Sequence, residues 1–86
     1  MAHPLHDHRY QLVAQYLAEL RRKRGLLQQD VADRLRRPQG FVSKYESGAR
    51  RLDVIELLDI LQVLDVEPRS FLDNLLPQFE ASLPRS

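Results

Sequence analysis

Residues 28–48 read "QQDVADRLRRPQGFVSKYESG", and their pattern predicts two short helices joined by a tight turn. Apolar residues recur at helical spacing in the first eight positions, which favours a helix over Gln28–Leu35. Pro38 disfavours helical geometry at the residue before it and suits the start of a new helix. The second helix is therefore expected to run from Gln39 to Ser47 and to end at Gly48. These two helices decide the fold.

The second of these helices has two unlike sides. At about 100° per residue, its polar and small residues fall on one side. They are Gln39, Gly40, Ser43, Lys44 and Ser47. Phe41, Val42 and Tyr45 fall on the other side. Such a helix is held to the protein by its apolar side and presents amide, hydroxyl and ammonium groups to a polar partner.

The rest of the chain predicts three more helices, over Tyr10–Arg24, Asp53–Leu64 and Pro68–Leu76, with Pro77 ending the last. Asp7 is placed to cap the first of them. The helix over Asp53–Leu64 has apolar residues on too many sides for one stripe, so we expect it to be the most buried. The prediction is an all-α domain of five short helices over residues 10–76, with tails at 1–9 and 77–86.

Charge is divided unevenly along the 86 residues, although the net charge is only +1. Residues 21–51 hold ten Lys and Arg against three acids, a balance of +7, whereas residues 52–86 hold two against seven, a balance of −5. A block this basic attracts phosphate groups, and its acidic neighbour repels them. An ordinary solvated surface with uneven charge is the alternative interpretation.

Composition argues against several other classes of protein. The chain has no cysteine, which suits a cytoplasmic protein, and no apolar run that predicts a membrane span. Its three histidines are His3, His6 and His8, ahead of the predicted core. They offer a metal clip, but a polar terminus is the simpler interpretation. We therefore expect no metal, no cofactor and no enzymatic activity.

Three segments together carry a resemblance to a known family: "QQDVADRL", "PQGFVSKYESGAR" and "LLDILQVLDVEPRSFL". Their residue types and joint spacing, including glutamines at Gln28 and Gln39, resemble the helix-turn-helix family of the phage repressors and Cro, over residues 12–72. The resemblance implies a five-helix DNA-binding domain of the phage repressor type. The protein would then be a sequence-specific regulator of transcription, and a repressor in particular, that reads double-stranded DNA with the helix over residues 39–47.

The resemblance also assigns roles to individual residues. Base contacts are expected from Gln39, Gly40 and Lys44, because the start of this helix enters the major groove in the family. Phosphate contacts are expected from Gln28, Arg37, Ser43, Arg50 and Arg51. A solvated basic surface would contain the same arginines. Phe41 could meet a thymine methyl group, but the role we expect for it is packing against the preceding helix.

The resemblance predicts one structural ion pair and reveals two departures from the family pattern. Arg21 and Glu46 occupy positions that face each other in the family, so we expect an ion pair between them. Leu27 stands where the family usually has a Ser or Thr cap, a loss of roughly 0.5–2 kcal/mol. Arg36 stands where glycine is common, so a left-handed conformation there would cost of order 1 kcal/mol.

The last predicted helix suggests a partner. Its apolar residues Leu72, Leu75, Leu76 and Phe79 exceed what one short helix needs to bury, so we expect a homodimer through this helix and the adjoining part of the helix before it. The alternative is an antitoxin or other interaction module, whose last helix and tail bind a toxin or another protein. Binding to promoter DNA without a partner would separate the two.

Overall fold

The computed structural model describes residues 7–82, with side chains over residues 7–80, and these residues form five helices joined by short connections. The helices are α1 (His8–Lys23), α2 (Gln28–Leu35), α3 (Gln39–Glu46), α4 (Val54–Val63) and α5 (Pro68–Ser82). No strand occurs within this part of the chain. The all-α helix-turn-helix architecture predicted from the sequence is confirmed.

The first helix begins at His8, two residues earlier than predicted and inside the expected tail. Asp7 is its N-cap, and the Asp7 carboxylate accepts a hydrogen bond from the backbone N–H of Arg9 at 2.9 Å. After Lys23 the chain turns through Gly25, which has a left-handed φ of 69°. The predicted cap is confirmed, and it fixes the start of the helix.

The α2 helix has the predicted bounds, and α3 is one residue shorter than predicted. Leu27 provides no side-chain cap to α2, but the Asp30 carboxylate accepts a hydrogen bond from the Leu27 backbone N–H at 2.7 Å. Arg36 has the expected left-handed conformation, with φ at 57° and ψ at 43°. Because this conformation reverses the chain directly after α2, Pro38 can start α3 three residues after Leu35.

The core lies where the helices meet. Its largest fully buried side chains are Leu17, Val31, Val42, Ile60, Leu61, Leu64 and Phe71. Phe71 stacks on Tyr16 with ring centroids 5.0 Å apart, which joins α5 to α1. Burial of these side chains supplies the apolar stabilisation of about 1.5–3 kcal/mol each that lets a small domain fold.

The α4 helix is not the most buried helix, and that prediction is wrong. Ile60 and Leu61 are buried, but the first turns of α4 expose Val54, Ile55 and Leu58. Val54 is 69% exposed and Ile55 is 67% exposed. The sequence reports how apolar a helix is, but the number of neighbours decides how much of it is covered.

The last helix continues past Pro77 to Ser82, so the prediction that Pro77 ends it is also wrong. A proline inside a helix removes one backbone hydrogen bond and crowds the preceding turn. Phe79 lies beyond the proline and packs against the core, which offsets that cost. Residues 1–6 and 83–86, the outer parts of the predicted tails, lie outside the described residues.

Candidate nucleic-acid interface

One side of α3 is open to solvent. Gln39, Gly40 and Lys44 are exposed, and Ser43 is half-buried. A Cβ atom added at Gly40 would meet nothing within 4 Å. The surface around Gly40 is therefore clear, and the expected base-contact residues lie on one accessible side of the helix.

The other side of α3 is held in the core. Val42 is fully buried, and Phe41 and Tyr45 are buried beside it with their rings in an edge-on contact at 5.4 Å. Burial raises the pKa of the Tyr45 hydroxyl above its ordinary value, so this phenol stays neutral. Phe41 therefore has the packing role that the sequence favoured for it.

Gly48 follows α3 with a φ of 82°, and the Gln11 side chain occupies the space that a Cβ atom would need. Both the left-handed backbone and the lack of space restrict this position to glycine. The close contact fixes the chain after α3 against α1.

A bidentate ion pair fixes the end of α3 to α1. Arg21 Nε donates to Glu46 Oε2 at 2.7 Å, and Arg21 Nη2 donates to Glu46 Oε1 at 3.1 Å. The two side chains are only 11% and 5% exposed. Arg21 Nη1 also donates to the Leu26 carbonyl at 2.7 Å. The hydrogen bonds to Glu46 raise the pKa of Arg21 above its ordinary value. The structure thus contains the pair that the resemblance implied.

The ion pair is linked to the exposed side of α3 by two glutamines. Gln28 Nε2 donates to Glu46 Oε1 at 3.0 Å, and Gln39 Nε2 donates to Gln28 Oε1 at 2.6 Å. A hydrogen-bond chain therefore runs from buried Arg21 through Glu46 and Gln28 to exposed Gln39. It fixes the amide of Gln39 before any ligand is bound.

The arginines expected to contact phosphates already interact with other side chains. Arg37 Nη2 and Arg50 Nη2 both donate to Glu56 Oε2, at 3.0 Å and 2.6 Å. Arg51 lies over the Tyr10 ring at 5.9 Å from the centroid. The ammonium group of Lys44, in contrast, forms no ion pair or hydrogen bond with the residues that the structure describes.

Glu56 is the residue of this surface that the sequence analysis missed. It reciprocates with Asp53 at the start of α4: Glu56 N donates to Asp53 Oδ1 at 2.7 Å, and Asp53 N donates to Glu56 Oε1 at 3.1 Å. The spacing of Asp53 and Glu56 is the sequence signature of such a capping box. That signature predicts the cap, but it carries no information on the two arginines.

The described residues contain no cluster of histidine, cysteine or carboxylate side chains that could hold a metal ion. His8 is exposed at the start of α1, and His3 and His6 lie outside the described residues. Within the same part of the chain, no helix is long and apolar enough to cross a membrane.

Comparison with known proteins assigns this architecture to a family. The family model described as "Helix-turn-helix" matches residues 17–71. A solved XRE-family like protein from Pseudomonas syringae pv. tomato str. DC3000 is 43% identical, with 92% of each chain covered and a TM-score of 0.73. The restriction-modification controller protein C.AhdI from Aeromonas hydrophila is 32% identical, with 70% of this chain and 91% of that chain covered and a TM-score of 0.66.

A more distant structure has the same fold. The restriction-modification controller protein C.Esp1396I, solved as a tetramer in complex with its natural 35 base-pair operator, is 23% identical. The alignment covers 80% of this chain and 91% of that chain, with a TM-score of 0.75. At this identity the likeness concerns the fold alone. No curated protein matches the chain.

Proposed function

The chain belongs to the helix-turn-helix family of DNA-binding transcriptional regulators, and on that premise we propose that it is a sequence-specific repressor that reads the DNA major groove with α3. The observation that carries the proposal is the two-sided state of α3. Its apolar side is buried, while Gln39, Gly40 and Lys44 are exposed and clear of other elements. The 32% identical protein from Aeromonas hydrophila is itself a controller protein, which supports a regulatory role.

Gln39 has the free groups that recognition of adenine requires. Its amide has two N–H groups and one oxygen, and one N–H is donated to Gln28. One donor and one acceptor remain, which match adenine N7 and the adenine N6 amino group. We therefore assign Gln39 to an adenine contact, oriented by the glutamine chain described above.

Lys44 and Gly40 complete the proposed base contacts. Lys44 is exposed and its ammonium group has no partner among the described residues, so that group is free to donate to guanine O6 or N7. Gly40 has no side chain to read with, and its clear surroundings allow close approach of the bases. Each side-chain contact is expected to contribute about 1–3 kcal/mol of discrimination.

The proposed phosphate contacts surround this reading surface. Gln28 lies at the start of α2, where free backbone N–H groups and the helix dipole favour an anion. Ser43, Arg37, Arg50 and Arg51 lie on α3 or on the segments that flank it. These contacts would position the protein on DNA without reading sequence, and they explain why residues 21–51 have a balance of +7.

We further propose that the protein acts as a homodimer through α5 and the adjoining part of α4. Leu72 and Leu76 of α5 are 45% and 47% exposed, although Leu75 is buried and Phe79 is half-buried in the same chain. A two-fold dimer would place two α3 helices on half-sites about 34 Å apart, one turn of DNA. Occupation of a promoter by such a dimer would block transcription.

Selection of bound sequences from a random DNA pool tests this function. We expect a two-fold symmetric site. Replacement of Gln39 or Lys44 by alanine should weaken binding to that site by about 1–3 kcal/mol and remove the preference at one base position, at fixed salt. Gln15→Ala removes an exposed glutamine from α1, outside the proposed DNA and dimer contacts, and is the matched control, which should change neither.

A phosphate contact should fail in another way. Arg51→Gln is expected to weaken binding to all DNA sequences by the same factor. It should also flatten the dependence of log affinity on log salt concentration by about one unit. If the Gln39 and Lys44 variants keep the full base preference, α3 is not the reader. Binding to a protein such as a toxin would then be the better hypothesis.

A further inference from the structure

Glu56 of α4 lies where two arginines next to α3 converge. Both Arg37 and Arg50 donate to the same carboxylate oxygen, Glu56 Oε2. The Glu56 side chain is 12% exposed, whereas those of Arg37 and Arg50 are 44% and 39% exposed. The carboxylate thus lies beneath two guanidinium groups that reach solvent.

Phe41 gives the two arginines a second common contact. The guanidinium carbon of Arg37 lies 4.3 Å from the centroid of the Phe41 ring, and that of Arg50 lies 5.0 Å from it. Attraction between a cation and an aromatic ring adds to the ion pairs. Because Phe41 follows Gly40 directly in α3, both guanidinium groups are fixed beside the proposed reading surface.

The two guanidinium groups form a binding site for an anion, and the Glu56 carboxylate of the protein itself occupies that site. Convergence of guanidinium groups on one oxygen is how arginines bind phosphate as well as carboxylate. The other oxygen of Glu56 accepts a hydrogen bond from the Asp53 backbone N–H, so the carboxylate is fixed to the start of α4. A DNA phosphate that approaches Arg37 and Arg50 must therefore share the two guanidinium groups with Glu56, because the Glu56 carboxylate is held in place on α4.

We propose that Glu56 competes with the DNA phosphate for Arg37 and Arg50, and so sets how tightly the protein binds DNA of any sequence. The inference rests on the proposed function, which gives both arginines a phosphate contact. A mostly buried carboxylate that loses its cations is strongly destabilised, so the arginines are shared and not released. Because a phosphate carries no base information, Glu56 lowers affinity for preferred and unrelated DNA alike.

The variant Glu56→Gln tests the competition. It keeps an amide oxygen that can accept from the Asp53 backbone and removes the negative charge. We would titrate the full chain with its selected site and with a scrambled duplex, at several NaCl concentrations. Affinity for both duplexes should rise by about three- to tenfold at low salt. The dependence of log affinity on log salt concentration should steepen by about one unit.

Asp59→Asn is the matched control. It removes the same charge one turn further along α4, and Asp59 forms no ion pair or hydrogen bond with the described arginines. Its effect measures the general contribution of one negative charge at this distance. Thermal unfolding followed by circular dichroism verifies that both variants are folded.

The double variant Arg37→Gln/Arg50→Gln isolates the cause. In that background, Glu56→Gln should change affinity no more than Asp59→Asn does. The inference is overturned if Glu56→Gln does not bind more tightly than Asp59→Asn, or if only one of the two duplexes gains affinity. Failure of the proposed base reading gives a different result, in which base preference survives in the Gln39 and Lys44 variants while Glu56→Gln still binds both duplexes more tightly. Absence of binding would overturn both.

Discussion

The α3 and α4 helices have similar lengths and follow each other in the chain, yet the surfaces that they expose to solvent differ in polarity. The exposed residues of α3 include Gln39 and Lys44, which are polar. Those of α4 include Val54, Ile55 and Leu58, which are apolar. Each helix also has a buried side, so the difference lies in what the exposed side offers to a partner.

The comparison shows that two kinds of interface can be separated within one small domain. Around α3, exposed hydrogen-bonding groups and a basic block suit a polar, negatively charged partner. Around α4 and α5, exposed apolar side chains and the acidic half of the chain disfavour DNA and suit a protein surface. In the proposed function, DNA and a second copy of the chain bind at different places.

The largest effect is expected where α3 is anchored. The ion pair between Arg21 and Glu46 holds the end of α3 in place. Glu46→Ala should therefore lower the free energy of unfolding by about 3–5 kcal/mol, since Arg21 would be left buried without its partner. Denaturant titration measures this loss. The double variant Arg21→Met/Glu46→Leu removes both charges and should be clearly more stable than Glu46→Ala. Equal losses in the two variants would contradict an uncompensated charge as the cause.

A smaller effect is expected at the apolar surface of α5. Leu72→Glu/Leu76→Glu should weaken self-association by at least tenfold, about 1.4 kcal/mol, because two charges would have to be buried in the dimer. Analytical ultracentrifugation over a range of concentrations measures it. Leu27→Glu, at a leucine that is 68% exposed before α2, is the control and should leave the dimer intact. A wild-type chain that stays monomeric at micromolar concentration, with and without DNA, would contradict a dimer interface at α4 and α5.

The smallest effect is expected at the exposed ion pair that starts α1, which provides a baseline for the buried pair of α3. Arg9 Nη2 donates to Asp7 Oδ2 at 2.6 Å, and the hydrogen bonds from Arg9 lower the pKa of Asp7 from 3.8 to about 2. A lowered folded-state pKa means that ionised Asp7 stabilises the protein above about pH 4 and that this contribution is lost as pH falls through about 2.

Asp7→Asn keeps the cap and removes the charge, so it should lower the Tm slightly at pH 7 and by less at pH 2. Asp73→Asn, at an exposed carboxylate of α5 that forms no ion pair with the described residues, should change the Tm less at pH 7. A difference between Asp7→Asn and wild type that stays constant between pH 7 and pH 2 would show that charge is not its cause.

The part of the fold that the sequence predicted best is the part controlled by local signals. The bounds of α2 follow from its apolar spacing, and Pro38 marks the start of α3. Arg36 has the left-handed conformation because the turn requires it, whichever residue is present. The pairing of Arg21 with Glu46 came from the family resemblance, since 25 residues separate the two in sequence.

Tertiary contacts decided the features that the sequence did not predict. Pro77 ends a helix in isolation, but Phe79 gains contact with the core when the helix continues. The exposure of Val54 depends on which helices lie next to α4, which no local pattern reports. Glu56 is recognisable as a cap from its spacing to Asp53, whereas its contacts with Arg37 and Arg50 require three separate segments to meet.

The hydrogen-bond chain from Arg21 to Gln39 determines which substitutions natural selection can accept at this surface. Gln39 is the exposed last member, so in the proposed function a substitution there would change the preferred base and leave the buried ion pair in place. Glu46 accepts hydrogen bonds from both Arg21 and Gln28, so in the proposed function its replacement would alter the fold and the DNA preference together. If α3 reads DNA as proposed, descendants of this protein would acquire new operators by single mutations at Gln39, while the Arg21–Glu46 pair stays unchanged.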